Sequence, residues 1–121
     1  VLLALNGETK MPFVRIETNH DFSSEVVQNV ITQITEQVHT IKGDPQAMIL
    51  VVVNTKVNVA FGGDYEKPAA VVQLMSLRMP VEITTKLTES ISDILLAKFN
   101  VPANRMYIFF QGFLHTCNQI G

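Results

Sequence analysis

The chain has 121 residues, enough for one compact domain with one core. Its 47% hydrophobic and 17% charged residues exclude both a disordered polyelectrolyte and a membrane-spanning protein. Nine Lys+Arg against eleven Asp+Glu give a net charge of −2, and no basic run or face is present to neutralise a phosphate backbone. Nucleic acid is therefore excluded as a partner class.

Val1-Leu2-Leu3-Ala4-Leu5 is apolar. It is shorter than the roughly 7–15 residues of a signal-peptide core and has no basic segment before it, so no conventional secretion signal is expected. Residues 1–11 read as an N-terminal extension and residues 12–121 as the domain. From Pro12, the run Phe13-Val14-Arg15-Ile16-Glu17-Thr18 alternates and predicts a strand that ends at Asn19-His20-Asp21. Asp21, Ser23 and Ser24 are all able to cap a helix. The stripe Val26, Val27, Val30, Ile31, Ile34, Val38, Ile41 supplies its apolar face, and Gly43-Asp44-Pro45 ends it.

Met48 to Val53 is a short, continuous, β-branched run, which predicts a strand buried on both faces inside a sheet. Ala60-Phe61-Gly62-Gly63 lacks the Lys-Ser/Thr ending of a phosphate-binding loop and reads as a turn. Then the grammar recurs: a strand over Ala69–Leu77, a helix over Val81–Phe99 with its stripe at Ile83, Leu87, Ile91, Leu95 and Phe99, and a buried strand over Arg105–Phe110. The halves are related by a constant step of 57 residues, which carries Pro45 to Pro102, Val30 to Leu87, Ile34 to Ile91 and Val38 to Leu95.

Each half is a β-α-β unit, whose crossover is right-handed in about 98% of cases. The expected fold is α/β: a tandem β-α-β repeat forming a four-stranded mixed sheet with two helices on one face. The other face then needs a cover, and a homo-oligomer supplies one economically. His20, His39 and His115 show no ligand spacing, and Cys117 has no partner for a disulfide or zinc site. Cys117 reads as structural or incidental, and no metal or cofactor is expected.

The segments Met11-Pro12-Phe13, Thr18-Asn19, Gly43-Asp44-Pro45, Ala60-Phe61-Gly62-Gly63, Met75-Ser76-Leu77 and Asn104-Arg105-Met106-Tyr107-Ile108 resemble, in order and spacing, the macrophage migration inhibitory factor and D-dopachrome tautomerase family. The resemblance spans roughly residues 11 to 110. It implies a homotrimer with active sites between subunits, and cofactor-free keto-enol tautomerisation of a small aromatic keto acid of the phenylpyruvate or D-dopachrome type. It implies Pro12 as the general base, with Ser76 and Leu77 binding substrate and Tyr107 coming from the neighbouring subunit; Phe13, next to the proline, fits an apolar floor, and Lys42, which could reach the site from a different angle, is the remaining substrate-binding candidate. It also raises a cytokine-like role, a cell-surface receptor as partner, and a location both cytoplasmic and secreted.

A secondary amine can move a proton next to a carbonyl only when it is neutral. An ordinary α-amino group titrates near about 7.7–8.0, and apolar burial lowers that value, which suits a base at neutral pH. While residues 1–11 remain attached, however, the Pro12 nitrogen is a tertiary amide with no basic lone pair. The family pattern also places a carboxylate-binding lysine where this chain has Asp44. Lys42 lies two residues earlier, near a helix C-terminus where a cation is favourable without any ligand.

Further departures are Arg78-Met79-Pro80 in place of a glycine-rich turn, Phe109 in place of an asparagine, and the tail from Gln111 to Gly121. Two competing readings follow: a non-catalytic trimeric interaction protein, and a ferredoxin-like module that binds a small ligand as a monomer.

Overall fold

In the computed structural model, residues 12–77 and 79–113 are described. Residues 1–11, Arg78 and residues 114–121, with His115 and Cys117, lie outside them. Four strands and two long helices follow one another as β1 (Phe13–Thr18), α1 (Ser24–Lys42), β2 (Leu50–Asn54), β3 (Ala70–Leu77), α2 (Val81–Phe99) and β4 (Met106–Phe113). The sheet order is β2-β1-β3-β4. β1 runs parallel to β2 and β3 parallel to β4, while the central pair β1/β3 is antiparallel. The tandem repeat and the mixed sheet are as the sequence predicts.

The 57-residue step holds in three dimensions. It carries the 19 residues of α1 onto the 19 of α2, and the 3₁₀ turn Gln46–Met48 onto Ala103–Arg105. Of the three candidate caps for α1, Ser23 performs the role: its Oγ accepts from the Val26 N–H at 3.2 Å. Gly43 ends the helix with φ 88°, where a side chain would be strained, and its N–H donates to His39 O. Asn100 ends α2 in the same left-handed region at φ 58°.

Alternation in the central strands decides which face is core. Val14, Ile16, Val72 and Leu74 are fully buried against Val30, Ile34 and Val38 of α1 and Leu87, Ile91 and Leu95 of α2. Phe99 closes one end of this core and stacks on Phe22 at 4.4 Å between centroids. The opposite face carries Leu50 and Val52 of β2, Phe13 and Arg15 of β1, Gln73 and Met75 of β3, and Tyr107 and Phe109 of β4.

One expectation is overturned. β2 and β4 are the two edge strands, not strands enclosed within the chain, and Leu50, Tyr107 and Phe109 are 58%, 59% and 52% exposed. The continuous apolar runs reflect strands that meet the helices on one face and show apolar side chains on the other. Periodicity records apolarity on both sides but not what covers each side.

The long connection between β2 and β3 is folded by polar contacts. Gly62 and Gly63, at φ 62° and 82°, form the turn expected there, and Phe61 and Asp64 exchange both backbone hydrogen bonds across it. Arg105 donates to the carbonyls of Pro68, Asp64 and Lys67 at 2.8–3.0 Å and pairs with the Asp64 carboxylate at 3.8 Å. Asn19 holds the same loop from β1, donating to Tyr65 O and Lys67 O and accepting from Ala69 N–H. The Thr18-Asn19 and Asn104-Arg105 segments thus act as staples for one loop.

Two outcomes test this description. Phe99→Ala removes a fully buried ring and should cost about 3–5 kcal/mol, read as a lower denaturation midpoint at fixed protein concentration. Asp64 is held below the usual carboxylate range because it accepts from the Glu66 and Lys67 backbone N–H groups, with Arg105 adding to the effect. A depressed carboxylate stabilises the fold above its unfolded pKa and loses that contribution as pH falls through the folded value. The gap in Tm between the native chain and Asp64→Asn should therefore be constant from pH 8 to about pH 5 and shrink below about pH 4, close to the ordinary aspartate value.

Candidate active site

Pro12 is buried at the start of β1, and its carbonyl accepts from Leu50 N–H at 3.0 Å. Because Phe13 is paired with Met75 in antiparallel register, one step back places Pro12 across from Ser76. Strand alternation puts Pro12 and the buried Ser76 on the helix side of the sheet. Phe13 and Leu77 stand at the same end but on the outer face.

The C-terminus of α1 reaches this corner. Lys42 Nζ donates to the Leu77 carbonyl at 3.2 Å and pairs with Asp44 Oδ2 at 3.1 Å. The side chains are 4% and 0% exposed. Lys42 is thus not the solvated helix-end cation that its position suggested: its stem passes under the strand end and its ammonium is shared between a carbonyl and a carboxylate.

Among the described residues neither Asp44 oxygen has hydrogen-bond geometry to a partner, so the 3.1 Å contact is ionic and not a well-directed hydrogen bond. Asp44 also holds its neighbours through its backbone: its carbonyl accepts from His39 Nδ1 at 2.7 Å, which places the ring proton on that nitrogen.

Tyr107 is elsewhere. It pairs with Val71, five residues along β3 from Ser76, roughly 16 Å at strand spacing. There its ring meets Phe61 and Phe109 edge-on at 5.5 and 5.9 Å and borders a cavity of about 250 Å³ with Val59, Ala60, Gly62, Ala70 and Val71. Within one chain, Pro12, Lys42, Ser76, Phe13 and Leu77 gather at one end of the sheet and Tyr107 does not join them. Only a second copy can bring a Tyr107 to Pro12.

The buried Lys42–Asp44 pair escaped sequence reading, which weighed the two residues one at a time. The usable signal was their i, i+2 spacing around the helix-ending Gly43, since the left-handed turn folds the chain back and brings such side chains to one side. No group of three or more metal-ligating side chains occurs among the described residues. No helix among them is long and apolar enough to cross a membrane.

Comparison with known proteins decides the family. The model of the macrophage migration inhibitory factor family matches residues 11–119. This chain belongs to that family. A search of curated proteins returned no match.

Solved structures of the family share the fold. The macrophage migration inhibitory factor of Trichinella spiralis is 27% identical, with 84% of this chain and 89% of that one covered at a TM-score of 0.75. Leishmania major MIF2 is 20% identical, with 85% and 89% covered at 0.77. A protein of the same fold, Pt0534, was solved after inactivation by 2-oxo-3-pentynoate; it is 15% identical, with 84% and 85% covered at 0.76.

The buried pair makes a sharp prediction. Lys42→Met leaves the Asp44 carboxylate buried without a counter-charge and should cost about 3–5 kcal/mol, whereas Lys42→Met with Asp44→Leu should recover most of that loss. Urea denaturation of the two variants beside the native chain checks it.

Proposed function

We propose that this family member is a cofactor-free keto-enol tautomerase in which the Pro12 amine, freed by removal of residues 1–11, is the general base. The carrying observation is the placement of Pro12: buried at a strand end, across from Ser76 and one residue from the Leu77 carbonyl that anchors Lys42. The reaction needs only a proton taken from the carbon next to a carbonyl and returned to the enol, and a neutral secondary amine in an apolar corner suits it. The substrate is a small aromatic carbonyl compound of the phenylpyruvate or D-dopachrome type. Inactivation of Pt0534 by a 2-oxo acid, within the same fold, supports carbonyl chemistry at such a site.

The far placement of Tyr107 and the apolar edge strands support a homotrimer in which Tyr107 of a neighbouring copy completes the pocket. Phe13 and Leu77 then form its apolar wall. In this reading the chain acts both in the cytoplasm and outside the cell.

A second reading, a non-catalytic trimeric signalling protein that engages a cell-surface receptor, is favoured by one observation: the Asp44 carboxylate sits buried beside Lys42. Proton exchange next to the carbonyl, followed by NMR on phenylpyruvate and its methyl ester, separates the two. A chain starting at Pro12 should exchange protons on at least one compound, Pro12→Gly should lose about 10²–10⁴-fold, and a chain retaining residues 1–11 should be inactive. Absence of exchange on both compounds by the Pro12-started chain rejects the tautomerase reading and leaves the signalling one.

A further inference from the structure

Two neighbouring cavities at the Tyr107 end of the sheet share Val59 and Ala60 as walls. The first, of about 250 Å³, is bounded by the Phe61 and Tyr107 rings, by Val71 and by small residues. The second, of about 490 Å³, adds Asn19, Lys56, Asn58 and Tyr65. A dry apolar cavity of about 150 Å³ takes up benzene, so the first has room for one ring and a short substituent. The two differ in chemistry. No charged side chain lines the first, whereas the second carries one cation and no carboxylate, in a chain where acids outnumber bases eleven to nine.

The charge at Lys56 is open to a ligand. The residue is exposed, and among the described residues its ammonium has no hydrogen bond or ion pair. Of the acids in the adjoining loop, Asp64 is taken by Arg105 and by the Glu66 and Lys67 N–H groups, and Glu66 lines neither cavity. The walls are also held in place. Lys56 has φ 58°, a left-handed conformation uncommon for a residue with a side chain. Its N–H donates to His20 O at 2.9 Å, and the Val57 N–H donates to Thr18 O at 3.1 Å. Asn19 pins Tyr65 through its carbonyl, His20 Nε2 donates to Glu66 O at 2.6 Å, and the Arg105 guanidinium lies 5.7 Å from the centre of the Phe61 ring. Walls fixed before binding lose little freedom when the cavity fills.

We propose that these two cavities form one binding site for a small aromatic carboxylate, with the ring against Phe61 and Tyr107 and the carboxylate at Lys56 and Asn58. The Phe61 and Tyr107 rings already meet edge to face at 5.5 Å, and a ligand ring adds a third member to that cluster. Lys56 offsets the charge, and the Asn58 amide can donate to a carboxylate oxygen. One lysine balances one charge, which fits a carboxylate and not a dianionic phosphate ester. Tyr107 lies roughly 16 Å along the sheet from Ser76. Within one chain the site is therefore separate from the Pro12 corner, and it needs neither a free Pro12 amine nor the tautomerase reading.

The test is an NMR titration of the 121-residue chain, in which the Pro12 nitrogen is an amide, with 3-phenylpropanoate, 3-phenylpropanamide and 3-cyclohexylpropanoate. The aromatic acid should bind at least about threefold more tightly than either analogue, with shifts centred on Lys56, Val59, Phe61 and Val71. Lys56→Met should abolish the preference for acid over amide and leave amide binding unchanged. Phe61→Leu should abolish the preference for the phenyl over the cyclohexyl acid.

Equal binding of the acid and the amide by the native chain overturns the proposal. So does an acid preference that survives Lys56→Met, a phenyl preference that survives Phe61→Leu, or a shift map centred on Pro12, Gly43 and Ser76. The chain is titrated as it assembles in solution, so closure of this corner by a neighbouring copy shows as absence of saturable binding, which also overturns it. Should Phe61→Leu fail to fold, Lys56→Met and the shift map decide alone. Binding at Lys56 and Phe61 by a Pro12-started chain that exchanges no protons rejects the tautomerase reading and leaves this inference standing; proton exchange without such binding does the reverse.

Discussion

A four-stranded sheet has two faces, and the two helices of this chain cover only one. Everything else in the molecule is arranged around that asymmetry. On the covered face, buried side chains of both central strands meet a stripe from each helix, and the burial of about a dozen branched and aromatic side chains there dominates stability. On the other face the residues are neither a second core nor an ordinary solvated surface. Phe13 and Met75 stand beside Leu50, and Tyr107 stands beside Phe109, while Arg15 and Gln73 occupy the middle row. Apolar edges around a polar centre suit a ring of copies in which the edges meet and the centre stays wet, the arrangement that the proposed trimer requires.

The sheet also separates the candidate residues within one chain. Sheet register delivers Pro12, Ser76 and the Leu77 carbonyl to one end and Tyr107 to the other, and no side-chain rearrangement closes a gap of roughly 16 Å. The loop from Phe61 to Lys67, which packs against Tyr107, is held by Arg105 and Asn19 through backbone carbonyls and not by a core of its own. Its shape is consequently fixed by directed polar contacts, which rigidify the aromatic cluster at the end that would face a neighbour.

The fold was legible in the sequence because its signals are local and repeated. Helix stripes, the Gly43 stop and a strict 57-residue step are each visible without knowing any contact, and the helix Val81–Phe99 appears with the boundaries its pattern predicts. Edge status was not legible, since Met48–Val53 reads as apolar whether its outer face meets a helix, a neighbour or water. The position of Pro12 was legible through its place before the first strand. The partnership of Lys42 with Asp44 was not, because it depends on a left-handed glycine folding two residues of opposite charge under a strand that is distant in sequence.

Internal repetition turns this last feature from a curiosity into an argument. Where two halves of a chain solve the same packing problem, the half that uses Phe99 and Val101 shows what the backbone needs, and the half that uses Lys42 and Asp44 shows what has been added to it. The addition is electrically neutral as a pair, so it neither draws anions into the corner as a free lysine would nor expels them as a free carboxylate would. What it supplies is a tie between distant parts of the chain: the ammonium joins the end of α1 to the Leu77 carbonyl at the end of β3, and the Asp44 carboxylate holds the ammonium there.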